Sequence, residues 1–357
     1  MRDFGVGSWA ARRARKTPHR TAIVDADGRF SYAVLHERVH RLAHGLRDLG
    51  VRRGDRVAYL GPNHHTFLET LFASGVLGAV FVPLNTRLAL PERDYCLADS
   101  GSTVLVHSPR LGTASDAVRH SIAVGPGDRG SLDYEGLLAE AATAPIDEAV
   151  TLEDAAMIMY TSGTTGRPKG ALLTHGNLTW NALNVLVDVD LASEEVTLCV
   201  TPLFHTAGLN MTCLPTLLKG GTVVLEAAFD PGRVLEHIES HRVTYMFGVP
   251  VMFDAIARSD AWATADLSSL RTVFCGGAPV PPAVIAVYLD RGVAFSQGYG
   301  MTEASPGVLF LPAADCSRKA GTAGVPHFFT DVRVVDAQAR PVAPGQRGEV
   351  MVSGPNV

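Results

Sequence analysis

The chain has 357 residues, 46% of them hydrophobic and 19% charged, with a formal net charge of −5. That length suits about two domains of roughly 150 residues, or one large subdivided domain, with enough apolar residues for a sizeable core. The charge and the lack of a long basic stripe beyond Arg12, Arg13, Arg15 and Lys16 argue against a nucleic-acid partner.

No continuous apolar segment follows that basic patch, so it does not read as a targeting signal. The most membrane-like stretch, Leu71 to Leu84, is too short to span a bilayer and is broken by Gly75, Gly78 and Pro83. A cytoplasmic protein without a membrane span is expected. Five scattered cysteines with no C-x-x-C pair indicate free thiols in a reducing compartment.

In chain order, Ser31 caps a predicted helix whose apolar positions Val34, Leu35, Val39, Leu42, Leu46 and Leu49 recur at helical spacing, with Gly50 as its stop. Within it, His36-Glu37-Arg38-Val39-His40 satisfies H-E-x-x-H, with His44 one turn further. The longer zinc-hydrolase pattern fails because Ala43 stands where its Gly belongs, so a solvated helix face is the reading adopted. His64-His65 reads as a helix entry whose adjacent rings do not share a face.

A strand at Arg56–Leu60, a helix around His65–Leu77, a strand at Val80–Val82, a helix after Pro91 and a strand at Thr103–His107 continue an α/β alternation. After two Gly-, Asp- and Pro-containing connections comes Met159-Tyr160-Thr161-Ser162-Gly163-Thr164-Thr165-Gly166-Arg167-Pro168-Lys169-Gly170. Glycines let such a loop aim backbone N–H groups inward, hydroxyls add donors, and Lys169 supplies a point charge: a phosphate cradle. Pro168 and Gly170 flank the Lys where a P-loop needs Gly and Ser or Thr, and apolar runs on both sides give strand, loop, strand.

Further strands are predicted at Val196–Val200, Thr222–Leu225, Thr244–Gly248, Thr272–Cys275 and Val293–Ser296, alternating with helices. From Gly321 onward, short strands at Val332–Val335 and Glu349–Val352 begin a small β unit. Gly276-Gly277-Ala278-Pro279 and Gln297-Gly298-Tyr299-Gly300-Met301-Thr302-Glu303 each follow a predicted parallel strand, where open α/β sheets place ligands. The first allows a flat base close approach to the backbone; the second offers an aromatic face, a hydroxyl and a carboxylate.

These segments, with Pro202-Leu203-Phe204-His205 and Gly321-Thr322-Ala323-Gly324, resemble the adenylate-forming superfamily of acyl-CoA synthetases, luciferases and carrier-protein adenylation domains. The resemblance runs from the helix after Ser31 to Gly348-Glu349-Val350. It implies an α/β fold of two packed subdomains with mostly parallel sheets, approximately residues 1–180 and 181–320, plus the start of a β subdomain at 321–357. The family's ribose-binding Asp, hinge and mobile Lys-bearing C-terminal domain have no counterpart before Val357. The chain is therefore expected to be the large N-terminal domain, impaired in adenylation by itself.

Carried over by resemblance, Thr161, Ser162, Gly163, Thr164, Thr165, Gly166 and Lys169 would contact ATP phosphates. Gly277, Ala278 and Pro279 would line the adenine with Gln297, Gly298, Tyr299, Gly300 and Met301 as neighbours, Tyr299 packing on the base. Thr302 would donate to the α-phosphate and Glu303 would bind Mg²⁺; these two with Lys169 are the expected catalytic residues. His205, Phe247, Val251, Gly300 and Ser305 would contact the acid, with Met246–Phe253 and Ala304–Leu311 as apolar walls.

The resemblance implies ATP plus a carboxylic acid giving an acyl-adenylate, then a thioester with CoA or with a carrier protein's phosphopantetheine. A catalytically impaired nucleotide-binding fragment is the alternative of a different class, and a homodimer is left open. No Arg or Lys lies between Gln297 and Leu311, which favours an apolar acyl or aryl acid over a dicarboxylate. The wording of Thr201–His205 and Phe329–Val332 is most similar to fatty-acyl-CoA synthetases.

Overall fold

The structure, a computed structural model, describes residues 3–112, 115–127, 130–161 and 166–357. The chain enters with β1 (Thr21–Asp25) and β2 (Gly28–Ser31), then runs through β3 (Arg56–Leu60), β4 (Val80–Pro83), β5 (Ser102–His107), β6 (His120–Ala123) and β7 (Leu132–Asp133). Next come β8 (Ala155–Thr161), β9 (Lys169–Thr174), β10 (Val196–Cys199), β11 (Thr222–Leu225), β12 (Tyr245–Gly248) and β13 (Thr272–Cys275). The series closes with β14 (Ala294–Gly300), β15 (Gly307–Leu311), β16 (Val325–Pro326), β17 (Asp331–Val335) and β18 (Glu349–Ser353).

A seven-stranded sheet has the order β7-β6-β5-β3-β4-β8-β9, and a nine-stranded sheet the order β16-β15-β14-β13-β12-β10-β11-β1-β2. Both are parallel in the middle and antiparallel at an edge: β8–β9 closes the first, β14–β15–β16 and β1–β2 the second. β17 and β18 form a separate antiparallel pair. Central strands such as β12 and β13 are buried along their whole length, which is why they read as unbroken apolar runs rather than as alternation.

The expected division near residue 180 does not describe the sheets. β1 pairs in parallel with β11, Ile23 opposite Val223, so the N-terminal hairpin belongs to the second sheet although some 200 residues separate it from its partner. Thr222 ties the two together, its hydroxyl donating to the Thr21 carbonyl at 2.8 Å. Local pattern carried no trace of this long-range pairing.

The first predicted helix forms over Tyr32–Asp48, and the Ser31 hydroxyl accepts from the Val34 N–H at 3.2 Å. Leu35, Val39, Leu42 and Leu46 enter the core, each contributing roughly 1.5–3 kcal/mol, while Val34 stays exposed. The H-E-x-x-H residues do not form a solvated face: His40 and His44 are buried. Glu37 pairs with Arg41 at 2.9 Å, and His44 Nε2 bonds the Ala144 carbonyl at 2.7 Å.

His64 and His65 also depart from expectation, with ring centroids 4.1 Å apart. His64 is the extended N-cap of the helix His65–Val76 (φ −156°), so helical spacing does not govern its direction. Both rings gather at Asp25, which accepts from His65 Nδ1 at 2.7 Å and from the His65 backbone N–H at 2.9 Å. Asp27 takes His64 Nε2 at 2.9 Å, so hydrogen bonds within the cluster account for its geometry. All five cysteines are free and buried.

The helix His175–Asp188 holds the second half of the molecule in register. Asn177, Asn181 and Asn184, at offsets of four and three, lie on one face of it. Asn181 Oδ1 accepts from the Gly307 N–H at 2.9 Å and Asn184 Oδ1 from the Phe329 N–H at 2.8 Å, while Asn177 Nδ2 donates to the Pro355 carbonyl at 3.1 Å. Three separate chain segments, at β15, at 327–330 and at 355–357, are therefore fastened to a single helix.

Candidate active site

β14 extends three residues beyond β13's register partner Gln297, so Gln297–Gly300 is strand rather than a loop after a strand. The cause is β15: Gln297 faces Leu311, Gly298 faces Phe310, and Tyr299 faces Leu309 across an antiparallel ladder. This tongue projects beyond the ends of the parallel strands and separates two cavities. Gly277, Gly298, Tyr299 and Gly300 line both.

The first cavity, about 340 Å³, is lined by Gly277–Val280, Gln297–Gly300 and Gly321–Ala323. Gly277 adopts φ +82°, a conformation that L side chains avoid, so the turn after β13 needs Gly there. Gln297 is buried and its Nε2 donates to the Thr322 carbonyl at 2.7 Å, clamping the Gly321–Ala323 segment as the opposite wall. Tyr299 is 42% exposed and offers its ring to this space.

The second cavity, about 590 Å³, takes its walls from many parts of the sequence, among them Thr201–Pro202, His205–Gly208, Phe247, Phe274, Gly300–Thr302 and Pro306–Gly307. Phe247 and Phe274 meet edge to face, centroids 5.6 Å apart at 79°, and stiffen one wall. Gly300 sits where a Cβ would run into the Pro306 carbonyl, so any side chain there would force the tongue open. Val251 is 70% exposed at the rim.

His205 opens onto this cavity, and its ring lies 4.7 Å from that of Phe204. Partial burial, then the nearby Arg87 guanidinium, hold its pKa below the ordinary histidine value, so it is neutral at neutral pH. Arg87 itself lines the cavity. The segment Gln297–Leu311 carries no cation, and Arg87 arrives instead from the segment after β4, which no local signal connects to the site. His327 is a second missed wall residue.

Ser305 does not reach either cavity. It is fully buried at φ +67°, and its carbonyl accepts from Asn210 Nδ2 at 3.2 Å. Of the run Ala304–Leu311, Pro306 and Gly307 face the cavity, while Val308 and Leu311 are core.

Thr302 and Glu303 form a short 3-10 turn at the tip of the tongue, Thr302 lining the larger cavity and Glu303 exposed. β9 lies beside this turn, so the two sheets meet at it. Lys169 begins β9 opposite Thr161, exposed at the sheet edge. The strand-loop-strand reading is thus realised, and Thr161, Gly166 and Lys169 are placed on one hairpin. Ser162, Gly163, Thr164 and Thr165 lie outside the described residues.

The family of AMP-binding enzymes matches residues 10–357. The chain belongs to that family. It is 58% identical over 359 residues to a feruloyl-CoA synthase of an Amycolatopsis species, covering 100% of this chain and 71% of that protein. With an indoleacetate–CoA ligase of Aromatoleum aromaticum it shares 41% identity over 359 residues, 99% of this chain and 70% of the relative.

Among solved structures, the inhibitor-bound N-terminal domain of FACL13 from Mycobacterium tuberculosis superposes with a TM-score of 0.92 at 32% identity, covering 99% of this chain and 89% of that one. The o-succinylbenzoate CoA synthetase of Bacillus subtilis in complex with an acyl-adenylate intermediate gives 0.86 at 31% identity, covering 98% and 70%. The enzyme class follows from the family: an ATP-dependent, AMP-forming acid–thiol ligase using ATP and CoA. No helix among the described residues is long and apolar enough to cross a membrane.

Proposed function

We propose that this AMP-binding enzyme activates an aryl-bearing, largely apolar carboxylic acid as its adenylate and transfers the acyl group to CoA. The observation that carries the reading is the pair of cavities sharing the Gly298–Gly300 wall. Adenine occupies the smaller one, against Tyr299 and the Gly277–Pro279 backbone, and the acid's body fills the larger one. Its 590 Å³ falls within the range of about 300–1,000 Å³ typical of small-molecule sites. Phe247 and Phe274 suit an aromatic ring, in keeping with relatives named for feruloyl and indoleacetate substrates.

The junction of the cavities is then where the bond forms. A carboxylate oxygen of the acid attacks the α-phosphorus of ATP, the bond to the β-phosphate bridge breaks, and pyrophosphate leaves. Two anions are brought together in this step, so donors and positive charge must already be in place. Thr302 donates to the α-phosphate from the tongue, and the Thr161–Lys169 hairpin faces the departing pyrophosphate. Glu303 is an exposed carboxylate at the tip of the tongue that would hold a Mg²⁺, which would supply charge neutralisation. Neutral His205 and Arg87 orient the acid at the cavity mouth.

CoA thiolate attack on the acyl carbonyl then expels AMP and gives the thioester. Relatives named as CoA ligases favour CoA over a carrier-bound phosphopantetheine as acceptor. The test is acid-dependent pyrophosphate release across aryl, straight-chain and dicarboxylic acids, followed by detection of the CoA thioester. Pyrophosphate release, however slow, is expected to be faster with aryl acids than with the other two classes; ATP hydrolysis with no dependence on any acid overturns the reading.

A further inference from the structure

The face of the helix His175–Asp188 that carries Asn181 and Asn184 continues to Asp188, four residues beyond Asn184. Asp188 Oδ2 accepts from the Phe328 N–H at 3.2 Å and bonds His327 Nδ1 at 2.6 Å. At that distance the carboxylate accepts a hydrogen bond from Nδ1–H, and the tautomer that carries its proton on Nδ1 presents Nε2 as a lone-pair acceptor. The ring is otherwise enclosed, its side chain 1% exposed and stacked on Phe310 with centroids 5.8 Å apart at 28°.

Nε2 is buried and has no hydrogen-bond partner among the described residues, yet His327 is a wall of the 590 Å³ cavity. On that side it faces Gly307, another wall residue: a Cβ built there would stand 3.1 Å from Nε2. A buried acceptor costs free energy when unpaired, and here Asp188 holds the opposite side of the ring while Gly307, which has no side chain, is what lies beside Nε2. No described group pairs with it, so a donor carried by the acid would satisfy it.

We propose that His327 Nε2 accepts a hydrogen bond from a hydroxyl on the aryl body of the acid, with Asp188 as its positioning residue. The cavity therefore prefers hydroxylated acids over their deoxy and O-methylated analogues, which bring no donor to that point. This rests on the assignment of the larger cavity to the acid.

The test compares equilibrium binding of stable acyl-sulfamoyl adenosines bearing cinnamoyl, 3-hydroxycinnamoyl, 4-hydroxycinnamoyl and the matching methoxycinnamoyl groups. The expected result is at least one hydroxylated analogue binding about 10-fold or more tightly than the cinnamoyl and methoxy forms. H327L brings that ratio to about 1, H327Q keeps part of it because the amide oxygen still accepts, and D188A lowers it by releasing the tautomer. Equal affinities in the unaltered protein, or an unchanged ratio in H327L or in H327Q and D188A together, overturn the assignment of His327. Binding of none of the analogues instead overturns the proposed function.

Discussion

The two cavities that share the Gly298–Gly300 wall are built in opposite ways. The smaller is mostly backbone, taken from three short Gly-rich segments, and its residues stand almost in sequence order. The larger is mostly side chain, assembled from the 200s, β12, β13, the tongue, and two long-range arrivals, Arg87 and His327. A backbone-lined cleft recognises a ligand that does not vary, so its sequence reads as a compact motif. On the proposed assignment the side-chain-lined cavity takes the variable acid, and each wall residue can change without disturbing its neighbours in sequence.

The harshest way to break the distinction is Gly300→Val, because Gly300 belongs to both cavities and a Cβ there meets the Pro306 carbonyl. Adenylate-analogue binding should fall by more than about 10³-fold whichever acyl group is attached, with a stability loss of roughly 1–3 kcal/mol from overpacking. Calorimetric titration and thermal unfolding check both halves. Retained affinity would show that the tongue is not a common wall.

Glu303→Gln separates chemistry from binding. Glu303 is exposed at the tip, so the melting temperature should move little, while acid-dependent pyrophosphate release should drop by about 10²-fold or more as charge stabilisation is lost. An unchanged rate would remove Glu303 from the phosphate path.

Acid should weaken both cavities together by loosening their scaffold. Burial holds His175 down at about 4, and burial with the neighbouring His36 and His44 holds His40 at about 4, against an ordinary 6.5. Protonation thus favours the unfolded chain. Their contribution is complete above about pH 6.5 and is lost as pH falls toward 4, on the order of 3 kcal/mol each at pH 4. Urea unfolding measured between pH 7.5 and 4 should show this slope, and His40→Leu should flatten it.

The smallest expected effect sharpens the contrast instead. Gln297→Leu removes the clamp on the Thr322 carbonyl, and should weaken AMP binding about 10-fold while leaving discrimination among acids unaltered. A change in acid preference without a change in AMP affinity would contradict the division of labour.

Much of the backbone was legible. β11 and β13 lie where their apolar runs predicted, the Ser31 cap and its helix are in place, and the strand-loop-strand around Thr161–Lys169 is a hairpin. Short-range features misled where a distant partner intervened. β14 overran its predicted end because β15 pairs with Gln297–Gly300, and His64 turned toward its neighbour because an extended N-cap obeys Asp25 rather than helical spacing. The solvated face expected for the His36–His44 stretch failed for a related reason: His40 and His44 are buried in a core that periodicity alone did not assign to them.

By itself the sequence determined the α/β alternation, the strand pair that flanks the Thr161–Lys169 segment and the turn at Gly277, since each depends on interactions within a few residues: caps, turns, and backbone dihedrals. The tertiary structure alone decided that the first hairpin joins the second sheet, that Ser305 is core, and that Arg87 and His327 are cavity walls. Those outcomes rest on pairings across tens to hundreds of residues. Burial and hydrogen-bond satisfaction select them only after the chain has closed on itself, so no local pattern records them.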